Sequence, residues 1–217
     1  MELDFLNDRW HDILDGMTRH ERTIQTYDAA APQLAAYFAG HGARTVEIEH
    51  ALQLAGSPAN ARVIEVGCGD GRDAAEIVPK AGWYEGFDPS AGLLAIARER
   101  LPQASFVLAD ALSYNYPENT DVVFAFASLL HVDRRAMPPV FSKVAACLRP
   151  NGIFYLSLKE REEYAEELQT DQFGKRMFYY YTPPLIEKLA STAFTAVYED
   201  HYVLGKGRWF RMALKRA

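Results

Sequence analysis

From Arg62 onward the apolar positions fall into short runs of four to seven residues, separated by stretches with helical spacing. The runs are VIEV (63–66), WYEGF (83–87), SFVLA (105–109), DVVFAFA (121–127) and GIFYLSL (152–158). Runs this short, rich in β-branched and aromatic residues, predict strands covered on both faces, and their alternation with helical segments predicts a parallel sheet between two helical layers. Ser90 is placed to cap a helix through Leu101, and Thr182 followed by Pro183 opens another through Thr192. The stretch LRPNG (148–152) halts a helix and turns into a strand. Beyond Phe194, VYEDHYVL (197–204) and WFRMALK (209–215) flank Gly205-Lys206-Gly207, the pattern of an antiparallel hairpin. The expected class is therefore α/β, a doubly wound, mostly parallel seven-stranded sheet closed by a C-terminal hairpin.

Before Arg62 the period is helical, with Leu34, Tyr37 and Phe38 at one spacing and Val46, Leu52 and Leu54 at another. About sixty residues are too few for an independent core, so they are expected to pack as a helical lid over the carboxyl edge of the sheet, together with an insert over 159–181. The organisation expected is one domain: a helical cap over 1–60, a ligand-binding core over 61–159, and a substrate-side insert with the hairpin over 160–217.

Charge narrows the partners. The chain holds 23 Lys and Arg against 29 Asp and Glu, a net charge of −6, which disfavours a nucleic-acid partner because phosphate backbones are gripped by clustered cations. Arg208, Arg211, Lys215 and Arg216 form one basic cluster, read as a solvated last strand rather than a binding patch. Cys68 and Cys147 fall in a glycine turn and on an apolar helix face, which fits a reducing cytoplasm rather than a disulfide scaffold. The start, MELDFLNDRWHDIL, is acidic and amphipathic, unlike a signal peptide, and no stretch approaches the ~20 apolar residues of a membrane span. A cytoplasmic protein, monomer or homodimer, with no membrane partner is expected.

The candidate chemistry lies in VIEVGCGDGRDA (63–74), where Gly67, Gly69 and Gly71 follow a strand and precede a helix. Glycine there lets the backbone turn tightly and approach a ligand at the carboxyl edge, although such turns also arise for packing alone. Their G-x-G-x-G spacing departs from the G-x-G-x-x-G of a dinucleotide site, and Arg72 stands where the third glycine would fall. Asp88, ending the second strand, is placed to accept hydrogen bonds from both hydroxyls of a ribose. Asp110, ending the third, is placed to accept from an exocyclic adenine amine while the Ala111 N–H donates to a ring nitrogen. Singly each acid reads as a cap or a solvated loop residue. At consecutive strand ends they point to an adenosine-type ligand.

These segments resemble the class I, Rossmann-like S-adenosylmethionine-dependent methyltransferase family, of the kind acting on small molecules. VIEVGCGDGRDA resembles its first motif, EGFDPS its second-strand end, FVLADALSY its third, DVVFAFASLLHV its fourth and LRPNGIFYLSLK its fifth, with Tyr27-Asp28 similar to a short element ahead of the core. The resemblance implies S-adenosyl-L-methionine as cofactor. By position it sets Gly67, Cys68 and Gly69 against the methionine portion, Asp88 and Pro89 at the ribose, and Asp110 with Ala111 at the adenine. It sets backbone of Phe126 and Ala127 near the amino group, Glu65 as an orienting acid, and Tyr27 or Arg72 at the carboxylate. An acidic site suits a cationic sulfonium, whereas a pyrophosphate would want the opposite bias.

The Asn/Asp-Pro-Pro-aromatic motif of nucleic-acid base methylation is absent, since FAFASLLHV stands in its place, and no metal-ligand spacing occurs. Methyl transfer is an in-line displacement in which the protein aligns and excludes water, and where the acceptor must lose a proton His131 is the expected base. Its other reading is a structural histidine that caps or packs under the next helix. The run MFYYY (177–181) either lines an aromatic acceptor pocket or buries alternate residues while the rest face solvent. The competing readings are a nicotinamide-dependent oxidoreductase, disfavoured by the glycine spacing and Asp110, a non-catalytic nucleoside-binding protein, and an aminopropyl-transferring relative, for which further acids are missing.

Overall fold

The computed structural model describes residues 17–56 and 58–217, so the acidic amphipathic start lies outside the described residues. The helices are α1 (Arg19–Ala29), α2 (Ala31–Ala39), α3 (Thr45–Leu54), α4 (Ala74–Ile77), α5 (Ala91–Arg100), α6 (Met137–Cys147) and α7 (Pro183–Ala190). The strands are β1 (Arg62–Val66), β2 (Trp83–Asp88), β3 (Ser105–Leu108), β4 (Thr120–Phe126), β5 (Leu148–Glu160), β6 (Ala165–Asp171), β7 (Gly174–Tyr180), β8 (Phe194–Leu204) and β9 (Gly207–Arg216).

Seven strands form one sheet in the order β3-β2-β1-β4-β5-β9-β8, and the expected class is the observed one. β1 to β5 pair in parallel, while β9 runs antiparallel to both β5 and β8. Burial explains the order. β4 is buried at every residue and lies centrally, whereas β8 alternates along most of its length and forms an edge. One face of the sheet packs Ile64, Phe154 and Leu156 against Met137, Val140, Phe141 and Val144 of α6. The other packs Val63, Phe124 and Tyr155 against Ile48, Ala51 and Leu52 of α3 and Leu94 and Ala97 of α5. Phe124 is wholly buried, so truncating it to Ala would cost about 3–5 kcal/mol.

Two expectations need correction, and the insert gains detail. The face α3 buries is Ile48, Ala51, Leu52 and, just past its end, Ala55, at three-and-four spacing, while Val46 is 73% exposed; Tyr37 of α2 likewise points outward. Within the insert, β6 and β7 form a separate two-stranded antiparallel sheet, an element not assigned from the sequence. Finally, Met177 to Tyr181 are all buried, so neither side of that run faces solvent.

The amino-terminal helix is tied down by polar side chains. Thr18 and Glu21 form a capping box at its start. The Met177 N–H donates to Thr23 Oγ1 at 3.0 Å, and Thr26 Oγ1 donates to the Lys175 carbonyl at 2.7 Å, docking α1 on β7. Asp28 Oδ1 accepts from Ser90 Oγ at 2.7 Å and from the Gly92 N–H at 2.9 Å, so the last turn of α1 caps the first turn of α5.

Candidate active site

The glycine turn sits where the strand order reverses between β1 and β4, the position at which open α/β sheets form a crevice. Gly67 adopts φ +69°, and a Cβ there would come within 2.3 Å of Ser128 Cβ, so position 67 excludes any side chain on both grounds. The turn is laced to the end of β2: Gly67 and Cys68 N–H groups donate to the Phe87 carbonyl at 2.8 and 3.0 Å, and the Gly69 N–H donates to Asp88 Oδ2 at 2.9 Å. The Ser90 N–H donates to the other oxygen, Oδ1, at 2.8 Å. Two amides thus fix the carboxylate plane and leave one lone pair on each oxygen. Burial lifts the Asp88 carboxyl from 3.8 to about 6, against the pull of those two amides and with help from the nearby Asp28 and Asp70 charges.

Asp110 accepts the N–H groups of Leu112 and Ser113 through Oδ1, at 2.7 and 2.9 Å, which leaves Oδ2 outside that turn. Partial burial pulls its carboxyl upward, but the hydrogen bonds from Ser113 and Leu112 outweigh it and hold the group below its usual range. It is both the turn-capping acid and a wall of the cleft.

Beneath the turn, Tyr84 Oη donates to Glu65 Oε2 at 2.6 Å. Burial, with the Asp73 charge second, pushes Glu65 well above the usual carboxyl range. Asp73 goes the other way, because Arg44 and Arg72 overcome the cost of its burial. Arg72 Nη2 lies 3.0 Å from Asp73 and its Nη1 donates to the Phe38 carbonyl at 3.2 Å, so much of its fork is already engaged. Arg44 was not singled out in the sequence. Its Nη1 and main-chain N–H both bind Asp73, at 2.5 and 2.9 Å, and its guanidinium stands 5.2 Å from the Phe126 ring centre. No local motif marks it, since it enters the cleft only by folding of the loop ahead of α3.

At the end of β4, Ala127 adopts φ +51°, an uncommon conformation for a residue with a Cβ, held by its N–H donating to both Ser157 Oγ and the Ser157 carbonyl. The next residue, Ser128, is a second unforeseen member of the site: its Oγ is buried with no hydrogen-bond partner among the described residues. His131 follows in a short 3₁₀ turn over Leu129–His131. Its Nδ1 is 2.6 Å from the Met177 carbonyl, which fixes the proton there, so Nε2 accepts from Tyr27 Oη at 2.8 Å. Arg176 Nη1 donates to the same Tyr27 oxygen at 3.3 Å. Burial drives His131 from 6.5 to about 3, so it is neutral, with both ring nitrogens committed. The histidine expected as a free base thus faces a tyrosine.

One cleft of about 1190 Å³ gathers Tyr27, Glu65, Gly67, Cys68, Gly69, Arg72, Asp88, Pro89, Asp110, Ala111, Phe126, Ala127 and His131, every site residue expected from the sequence. It also takes in Lys159, Arg176, Phe178, Tyr180 and Trp209 at its other end. The acids Glu65, Asp88 and Asp110 hang from β1, β2 and β3, whereas Lys159, Phe178 and Trp209 belong to β5, β7 and β9. Among the described residues no group of three or more His, Cys, Asp or Glu is arranged to hold a metal, and no helix is long and apolar enough to cross a membrane.

Residues 63–152 match the family model described as a methyltransferase domain. Trans-aconitate 2-methyltransferase of Methylobacterium nodulans is 33% identical over 139 residues, covering 62% of this chain and 50% of the relative. The chain spans about half the length of the curated relatives it matches. In fold it is similar to Burkholderia thailandensis 1,6-didemethyltoxoflavin-N1-methyltransferase, solved with that substrate and S-adenosylhomocysteine, at TM-score 0.67 and 19% identity over 89% of this chain and 87% of that one. It is likewise similar to the N-methyltransferase NodS of Bradyrhizobium japonicum, solved with S-adenosylhomocysteine, at TM-score 0.62 and 15% identity over 80% and 85% of the two chains. The motif positions, the strand order and these likenesses agree: residues 63–152 match a methyltransferase domain, and the chain has the fold of the class I, Rossmann-like S-adenosylmethionine-dependent methyltransferases it resembles.

Proposed function

We propose that this chain transfers a methyl group from S-adenosyl-L-methionine to a small-molecule acceptor. The observation that carries the reading is Asp88, an acid fixed at the end of β2 by the Gly69 and Ser90 amides with lone pairs still open to the cleft. The residues present fit the cofactor. Gly67 leaves a cradle that a Cβ would fill, the orphaned Ser128 Oγ lies beside it, and acids line the wall where a sulfonium and an amine would lie.

Bound there, the cofactor supplies a methyl group already activated on sulfur, so no covalent intermediate with the protein is required. The chain's residues bind, align and dry the site. Asp88 accepts the ribose hydroxyls beside Pro89, and Asp110 accepts the adenine amine while the Ala111 N–H donates to the ring. Gly67, Cys68 and Gly69 follow the methionine portion, with Phe126 and Ala127 presenting main chain to its amino group. Glu65 orients from below, Arg72 and Arg44 offer their remaining N–H groups to the carboxylate, and Tyr27, its O–H held by His131, lines the site beside them. His131 acts as a positioning residue, holding the Tyr27 hydroxyl at the mouth of β4, and α1 with the β6–β7 hairpin covers the reacting end.

The test is thermal stability of the purified protein with S-adenosylmethionine, S-adenosylhomocysteine and NADH in parallel, since a ligand selective for the native state raises stability by RT ln(1 + [L]/Kd). Stabilisation by the first two and not by NADH is expected. Stabilisation by NADH alone would overturn the reading in favour of an oxidoreductase.

A further inference from the structure

The acceptor end of the cleft holds a cation, Lys159, with no ion-pair partner among the described residues. Lys159 lies near the end of β5, paired with Trp209 of β9, and its Nζ stands 3.9 Å from the ring centre of Phe178 and 5.9 Å from those of Tyr180 and Trp209. Three cations near it are matched: Arg176 pairs with Asp171, Arg161 with Glu167, and Arg208 lies 3.5 Å from Glu160, whereas Lys206 stands at the β8–β9 turn. No carboxylate among the described residues lies within ion-pair distance of Lys159.

Ring faces attract an ammonium but do not neutralise it, and the carboxylates that act on Lys159, Glu167 and Asp171, are themselves paired with Arg161 and Arg176, so the half-buried ammonium has given up water without an ion-pair partner of its own. Burial, with the Arg176 charge second, lowers its proton affinity below the usual lysine value, and the charge of an arriving anion would offset both effects. The position is the useful one. Phe178, under Lys159, also packs against His131 with ring centres 4.9 Å apart, so the ammonium lies one ring away from the end of β4. The acid-rich half of the cleft suits the cationic cofactor and leaves the opposite end for a group of opposite charge.

We propose that Lys159 selects the acceptor by pairing with a carboxylate on it, and that the acceptor is a small, flat carboxylic acid lying against Phe178, Tyr180 and Trp209. The inference rests on the methyltransferase reading above. It makes Lys159 a substrate-binding residue that no motif of the cofactor core includes, and it requires the charge rather than a proton transfer from Nζ.

The test titrates protein saturated with S-adenosylhomocysteine with trans-aconitate and 4-hydroxybenzoate, each beside its uncharged amide, in wild type, Lys159→Met and Lys159→Arg. The expected result is at least one acid bound tenfold or more tightly than its amide by wild type. Lys159→Met should erase that preference and Lys159→Arg should retain part of it, with S-adenosylhomocysteine affinity unchanged in both. Acids bound no better than amides, or a preference that survives Lys159→Met, would overturn the proposal. Failure of S-adenosylhomocysteine itself to bind wild type would instead strike the cofactor reading, so the two failures are separable.

Discussion

Asp88 is pulled two ways, and the opposition is measurable. Burial raises its folded-state value to about 6 from 3.8, so the folded protein holds this proton more tightly than the unfolded chain does. Its contribution to unliganded stability is therefore greatest at low pH and is lost as pH rises from about 4 through about 6. Ribose hydroxyls need the ionised form, so cofactor affinity should move oppositely and rise through about pH 6. Calorimetric titration with S-adenosylhomocysteine should show that rise in wild type and its absence in Asp88→Asn. The variant should bind roughly ten- to a hundredfold more weakly at pH 8, the equivalent of about 1.5–3 kcal/mol for a charge-assisted hydrogen bond. His131 belongs to the same scale. With its value near 3, it cannot produce an inflection in the rate between about pH 5 and 8. His131→Asn is expected to lower kcat while leaving the shape of the pH profile intact, and loss of an inflection in that variant would restore it as the base.

Among the elements, the link between α1 and α5 is the one most exposed to a single change. Asp28 supplies both hydrogen bonds that cap the start of α5 from outside, so Asp28→Ala should cost about 0.5–2 kcal/mol in urea denaturation, with weaker cofactor binding because Ser90 also steadies Asp88. The elements differ in how plainly they were written in the sequence. β1 to β5 were legible because each is an apolar run next to a turn signal, and the glycine turn, Asp88 and Asp110 were legible because strand ends place them. The β6–β7 hairpin was not legible. AEELQTD is half exposed and mostly polar, and its partner strand is buried on both sides by α1, β5 and the cleft instead of showing a solvent face. Tyr27 and His131 were both noted, but their pairing across 104 residues, like the arrival of Arg44 and Lys159 in the cleft, is a product of tertiary packing that no local pattern encodes.

For the molecule as a whole, the cleft has a floor made by the sheet and a roof made by two pieces distant in sequence, α1 and the β6–β7 hairpin, joined to each other by Thr23 and Thr26. If they close over the ligand as one body, S-adenosylhomocysteine should slow amide hydrogen exchange in residues 19–29 and 165–180 together. Protection confined to residues 62–110 would leave the roof without a role in binding.

The strand order carries a consequence for how the chain is made. β9 follows the other six strands of its sheet in the chain, yet it occupies an interior place, flanked by β5 on one side and β8 on the other. Until it arrives, β5 is an open edge over most of its length and β8 has nothing to pair with, although the whole cofactor-binding half has long been synthesised. Nascent chains therefore pass through an interval in which the glycine turn and its acids exist beside an uncovered apolar edge. During that interval early cofactor capture and misassociation between neighbouring chains compete, and the arrival of the ten-residue β9 ends the competition.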